Sequence, residues 1–288
     1  MSKVAIVTDS VASLPEDIIR ELDIHWVPYY IHRGKEVWRD LVSIDRTSFY
    51  QWMANASEIP KTANPSPADY ANIYQEIAAS GLREIVSIHI TSKGSGAFQA
   101  ACIARDMILE RLPELKIEVI DSLNVSMCQG WMVSEAARAA LAGASFEAVI
   151  AKVKSMIPIS QMLQTADTLK YLYLGGRIGK AQHLMGSLLN IKPIISMREG
   201  VIVSLGQARS RRRVYQLMVD KIEATVSSKG RIKIAYVHAA AREEVEKLKE
   251  LVEARLDVVE SLMAELSPAL GVHTGPGTAG VCYFPVLD

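Results

Sequence analysis

Near the C-terminus, one histidine, one threonine and three glycines fall within seven residues, GVHTGPG (271–277). His273 and Thr274 can each donate and accept hydrogen bonds, and glycine bends the backbone where a Cβ would clash and lets a ligand approach. A tight turn explains such a stretch without a ligand, so it gains meaning only beside others. TSKGSGAFQAA (91–101) sets two glycines and several hydroxyls between a strand-like and a helix-like run. Open N–H groups at a helix start favour a carboxylate or phosphate, with Ser95 able to donate from its side chain. KTANPSPADY (61–70) carries Thr62 in a kinked loop stiffened by Pro65 and Pro67. That loop is either a proline turn with a helix start at Ser66 or Pro67, or a fixed hydroxyl aimed into a cleft. Ser95 with His273 as base would also make a nucleophilic pair for an esterase or acyltransferase, with Asp9 or Asp121 as the orienting acid.

Other motifs fail on spacing. A dinucleotide fingerprint would need glycine at Gln99, and a nucleophile elbow would need it at Lys93. GGRIGKA (175–181) is one residue too short for a phosphate loop, and Ala181 stands where a hydroxyl should hold magnesium. Gly175 and Gly176 read instead as a helix end, leaving Arg177 to form ion pairs. Leu184, Met185, Leu188 and Leu189 make an apolar face that fits either core or the wall of an apolar ligand tunnel. RSRRR (209–213) is the one dense basic cluster, a solvated face or a docking patch for an acidic partner. The six histidines show no metal-binding spacing, and His89 falls in a core strand.

Positioning these residues takes strands alternating with helices. VAIV (4–7), HWVPYYIH (25–32), EIVSIHI (84–90) and IEVID (117–121) read as strands, and Ala97, Ala101, Ala104, Ile108 and Leu112 mark one helix face. That alternation implies an α/β fold, an N-terminal α/β/α domain with a mainly parallel sheet. The loops after VAIV, EIVSIHI and IEVI, namely 8–10, 91–96 and 121–126, should then share the edge where such sheets bind ligands. IKPIIS (191–196) and VIVSLG (201–206) are spaced as a hairpin, and IKIAYV (232–237) is another strand, so a smaller C-terminal α/β domain with a mixed or antiparallel sheet is expected. The break near Pro158 divides the chain into residues 1–157 and 158–288. An amphipathic helix-like run leads into 271–277, and Val281 to Phe284 close the chain as a strand.

Composition narrows the classes. The 288 residues are 49% hydrophobic and 22% charged, enough apolar residues for a sizeable core. Lys plus Arg equal Asp plus Glu at 32 each, which argues against nucleic acid as a partner. Three widely spaced cysteines in apolar company, Cys102, Cys128 and Cys282, read as reduced core fillers. No signal peptide is visible and no window approaches the ~20 apolar residues of a membrane span, so a cytoplasmic protein is expected.

In this order, VTDSVASLP (7–15), KTANPSP (61–67), GSGAFQAA (94–101), VIDS (119–122), LGGRIGKAQHLMGSLLNIKPI (174–194) and GVHTGPG together resemble the DegV family of bacterial fatty-acid-binding proteins. The resemblance spans nearly the whole chain. It implies two α/β domains with a long-chain fatty acid between them, its acyl chain in an apolar tunnel, and no other cofactor. Carried over by motif, Thr62 and Ser95 would bind the carboxylate with Gly96 contributing backbone, His273 and Thr274 would complete the site, and Arg177 would support the head group or the domain interface. Such proteins present the carboxylate to a separate kinase subunit that makes acyl-phosphate for phospholipid synthesis. The resemblance makes Arg209, Arg211, Arg212 and Arg213 a docking surface for that kinase; a lipid-sensing regulator would use the same pocket without transfer. Four positions depart from the family: Ala63 and Asn64 replace a usual Ser-Gln, Phe98 a common tyrosine, and Lys93 adds a charge beside the head-group loop.

Overall fold

The computed structural model describes residues 4–187, 191–226 and 230–286. Along the chain come β1 Val4–Asp9, α1 Glu16–Glu21, β2 His25–Val27, β3 Tyr30–Arg33, β4 Glu36–Arg39, α2 Arg46–Met53, β5 Lys61–Ala63, α3 Pro67–Ala79, β6 Glu84–His89, α4 Ala97–Leu109, β7 Lys116–Asp121, α5 Met127–Leu141 and α6 Phe146–Met156. Then follow β8 Gln161–Thr165, α7 Lys170–Leu174, β9 Lys192–Arg198, β10 Val201–Ala208, α8 Arg211–Thr225, β11 Ile232–His238, α9 Arg242–Glu253, β12 Val258–Glu265, α10 Pro268–Thr274 and β13 Ala279–Pro285. The fold is α/β in two domains, as the alternation implies.

In the N-terminal domain four parallel strands lie in the order β2-β1-β6-β7. Their apolar runs are buried on both faces, under the packed pairs α3–α4 and α5–α6. The chain leaves β1 toward β2 on one side and returns to β6 on the other, so the sheet's topological switch point lies between the C-terminal ends of β1 and β6. In the C-terminal domain six strands lie in the order β10-β9-β8-β13-β11-β12; β11 and β12 are parallel and the other pairs antiparallel. The expected hairpin is β9–β10, turned by Glu199 and Gly200 with φ of 50° and 78°. Two left-handed residues in a two-residue loop match the right-handed twist of the strands they join.

Two strand expectations need correction. HWVPYYIH is not one strand: Pro28 has no N–H to give a ladder, and the chain changes sheets there. β2 stays with the parallel sheet, while β3 joins β4 and β5 in a separate antiparallel sheet of three strands. Thr62 therefore sits on strand β5, opposite Ile31, rather than in a kinked loop. The helix-like run before 271–277 is strand β12, and Gly271 to Thr274 form the last turn of helix α10 rather than a loop.

The two domains are fastened by packing and charge. The Trp131 indole, fully buried on α5, donates to the Cys282 carbonyl on β13 at 3.2 Å. Beside it, Arg138 on α5 reaches Glu260 on β12, and Lys233 on β11 bridges Glu135 and Glu260 at 2.8 and 2.9 Å. Cys128 and Cys282 are fully buried and Cys102 partly so.

Gly280, on β13, is needed for the approach of β8: a Cβ there would lie 2.7 Å from Gln164 Cα and nearer still to the Leu163 carbonyl oxygen. Overpacking of this kind costs about 1–3 kcal/mol. Gly280→Ala is expected to lower the unfolding free energy by that amount, read as a lower urea midpoint with an unchanged slope; an unaltered midpoint would show that the two strands can part freely.

Candidate functional site

A cavity of about 220 Å³ opens where the two domains face each other, beyond the C-terminal edge of the parallel sheet. Thr91, Lys93, Gly94 and Ser95 after β6 and Val125 after β7 come from two of the three loops expected to share that edge; of the first, residues 8–10 stay out of the wall and the next residue, Val11, enters it. The C-terminal domain adds Met162, Leu172, Ile195, Met197 and Ile202, an apolar lining. The tip of the β9–β10 hairpin is tied to the opposite domain, where the Thr91 hydroxyl donates to the Gly200 carbonyl at 3.0 Å. Leu184 is buried among Leu172, Ile178, Ala181 and Ile195. Leu188 and Leu189 of the expected tunnel wall lie outside the described residues, as does the side chain of Met185.

Thr62, Ser95, Arg177, His273 and Thr274 all line this one cavity. Thr62 Oγ1 and His273 Nε2 are 2.7 Å apart. Burial, with the Arg177 charge nearby, pushes the His273 pKa down to about 4, so its imidazole is neutral at neutral pH. With Nε2–H as the donor, Thr62 accepts, and its own proton is left for another oxygen. Among the described residues Nδ1 has no hydrogen-bond partner; it faces Gly175, where a Cβ would overlap it. Thr274 Oγ1 is likewise buried without a partner among them.

Ser95 repeats this arrangement. The Tyr29 hydroxyl lies 2.6 Å from Ser95 Oγ, and the Ala97 N–H donates to the same oxygen at 3.3 Å. With Tyr29 as the donor, both lone pairs of Ser95 are filled and its proton too is left for a ligand. Burial holds the Tyr29 pKa well above the ordinary phenol range, so the phenol keeps the proton that this direction requires. Tyr29 is the residue that sequence reasoning missed. It carries no motif, lying in a run that reads as apolar strand, and only the turn at Pro28 brings it to the cavity.

The other expected residues have different tasks. Gly96 caps the start of α4 and does not line the cavity. A Cβ on Gly96 would stand 3.0 Å from Asn64 Oδ1, so this glycine makes room for Asn64. Ala63, Asn64 and Lys93, three departures from the family pattern, do line the cavity; Phe98, half-buried, packs on the core instead. Arg177 donates to the Gly94 carbonyl at 3.3 Å and the Gly175 carbonyl at 2.6 Å, stapling two glycine loops from opposite domains rather than pairing with an acid.

Ser95 and His273 are each bonded to something else, so the nucleophile–base pair of an esterase is not assembled. The acids expected to orient such a base are also engaged. Asp121 accepts from the N–H groups of Ser92 and Leu123. Asp9 is bonded to His89 at 2.9 Å, with Ser87 Oγ 2.7 Å from the other ring nitrogen. That Ser87–His89–Asp9 chain has the order of a catalytic triad, yet all three residues are sealed in the core and Tyr74 donates to Ser87. Among the described residues no group of three or more His, Cys, Asp or Glu is placed to hold a metal ion.

Gly175→Ala should drive the new methyl into the His273 ring and separate it from Thr62. The expected outcome is at least tenfold weaker retention of a carboxylate ligand with the circular dichroism spectrum preserved; wild-type retention would mean the Thr62–His273 contact is dispensable.

Comparison with known proteins agrees with this construction. Residues 3–286 match the family model described as an uncharacterised protein of the DegV family. A DegV domain-containing protein of Caldanaerobacter subterraneus is 31% identical over 98% of this chain and 99% of its own. Among solved structures, a DegV family protein from Thermus thermophilus, described as binding fatty acid, superposes with a TM-score of 0.91 at 31% identity, covering 99% of this chain and 100% of that one. A stearic-acid-binding protein from Eubacterium ventriosum superposes with a TM-score of 0.89 at 28% identity, covering 99% of this chain and 98% of that one. With the family's motifs brought to one cavity and the match running end to end, the chain belongs to the DegV family.

Proposed function

We propose that this protein binds a long-chain fatty acid between its domains, with the carboxylate on Thr62 and Ser95 and the acyl chain in the apolar part of the cavity. The observation that carries this reading is the pair of hydroxyls, both lining one largely apolar cavity, whose lone pairs can be filled by the protein so that both protons are left for an anion. His273 orients Thr62, Tyr29 orients Ser95, and Thr274 adds a further donor. The Thermus and Eubacterium proteins, described as binding fatty acid and stearic acid, favour the same ligand class. The tail supplies most of the affinity: at ~0.8 kcal/mol per methylene, some fifteen methylenes are worth roughly 12 kcal/mol before ordering costs.

Native mass spectrometry of freshly isolated protein should show a bound fatty acid. A protein that is empty and also takes up no labelled C16 acid would sink the reading. Replacing both Thr62 and Ser95 with alanine should weaken carboxylate binding about tenfold or more.

Within the same proposal the protein is a carrier without chemistry of its own, presenting the carboxylate to a separate kinase subunit. Arg209, Arg212 and Arg213 are exposed and suit an acidic docking surface. Arg211 is withdrawn from that patch, bonded to Asp167 at 2.8 Å and to the Gly277 carbonyl. Reversing the three exposed arginines to glutamate should abolish co-purification of a kinase subunit while fatty-acid binding persists; unchanged co-purification would remove this patch from the proposal.

A further inference from the structure

Asp40 is fully buried in the N-terminal domain, outside the wall of the cavity. Its partners lead to both halves of the head-group site. Ser10 Oγ donates to Asp40 Oδ2 at 2.6 Å, and the Tyr29 N–H donates to the same serine oxygen at 3.1 Å. The Asp40 N–H returns to the Tyr29 carbonyl at 2.8 Å, closing a ring that fixes the backbone from which the Tyr29 phenol reaches Ser95. The other carboxylate oxygen accepts the Ala269 N–H at 3.2 Å in the first turn of α10. His273 lies one helical turn beyond Ala269, on the same face, so this bond sets where the imidazole meets Thr62.

We propose that Asp40 is the positioning residue of the head-group site, one carboxylate that registers the Tyr29–Ser95 pair against the His273–Thr62 pair. The proposal rests on the fatty-acid reading of that site. Asp40 has no ion-pair partner among the described residues. Arg46 on α2, whose charge reaches it, spends its hydrogen bonds on the Glu265 and Leu14 carbonyls. The titratable groups that also feel its charge are Tyr29 and Tyr50, both buried phenols.

Burial outweighs the bonds from Ser10, Ala269 and Ser267 and raises the Asp40 pKa to about 6. Since the folded pKa lies above the ordinary carboxylate value, this group's contribution to stability is fully present in acid and is lost as pH rises through 6. At neutral pH the charge is thus held at a cost to the fold, which points to a role other than stability.

The test compares two probes, a fluorescent C16 fatty acid and 1-hexadecanol, which has the same tail and no carboxylate. Asp40→Ala should weaken the acid tenfold or more at pH 8 and the alcohol less than threefold, because only the head group depends on the registration. Asp40→Asn keeps an acceptor for the Ala269 N–H and reverses the Ser10 bond, so that the amide donates to Ser10 Oγ; it should restore acid binding to within threefold, with thermal stability at pH 8 no lower than wild type. If Asp40→Ala does not fold, Ser10→Ala cuts the arm to Tyr29 alone and should show the same selective loss. Equal loss of both probes, or no loss of the acid, overturns the proposal. Wild-type protein that binds neither probe removes the fatty-acid reading itself, a separate result.

Discussion

A hydroxyl has two lone pairs and one proton, and the site turns on how each is assigned. Left to water, Thr62 and Ser95 would rotate and offer an anion no fixed donor. Here each oxygen has protein groups able to donate placed against it, His273 for Thr62 and Tyr29 with the Ala97 N–H for Ser95. Those donors come from both ends of the chain. β3 must turn away from β2 to deliver Tyr29, and α10 must return from the far domain to deliver His273. The two-domain clamp, the third sheet and the short helix near the C-terminus all serve that requirement.

The same requirement accounts for the glycines. Gly175 makes room for the imidazole, Gly96 for Asn64, and Gly271 for the rings of Phe49 and Tyr50 beneath α10. Each lets two backbones or a backbone and a ring meet more closely than a side chain would permit. Arg177 then ties the loop at Gly94 to the loop at Gly175 through their carbonyls, so a guanidinium beside the site is used as a staple across the domains.

The parallel sheet, the β9–β10 hairpin and the loops at its edge were legible because period and turn chemistry are local signals. Ser66 and Pro67 announce α3, and they do cap it with Asp69. The third sheet was not legible: β5 is three residues long, too short for a period, and its pairing with β3 depends on the change of direction at Pro28. Motif resemblance found Thr62, Ser95 and His273, whose side chains meet the cavity directly. It passed over Tyr29, which lines the cavity and bonds Ser95, and it expected Gly96 beside the ligand, whereas Thr91, Lys93, Gly94 and Ser95 are the residues of that loop in the wall. Residues that hold other residues leave little trace in a linear pattern, since their partners are distant in sequence.

A neutral cradle has a consequence for release. An anion held against an unpaired arginine in a dry cavity gains a strong ion pair, and breaking it leaves a buried charge uncompensated. Two hydroxyls cost far less to abandon, because their protons can return to water or to a neighbouring oxygen. A neutral His273 keeps that property at neutral pH, whereas an imidazolium would add the ion pair back. Under the proposed function, affinity then resides mainly in the tail and orientation in the head. That division suits a carrier, because the group to be handed on is the one held most lightly.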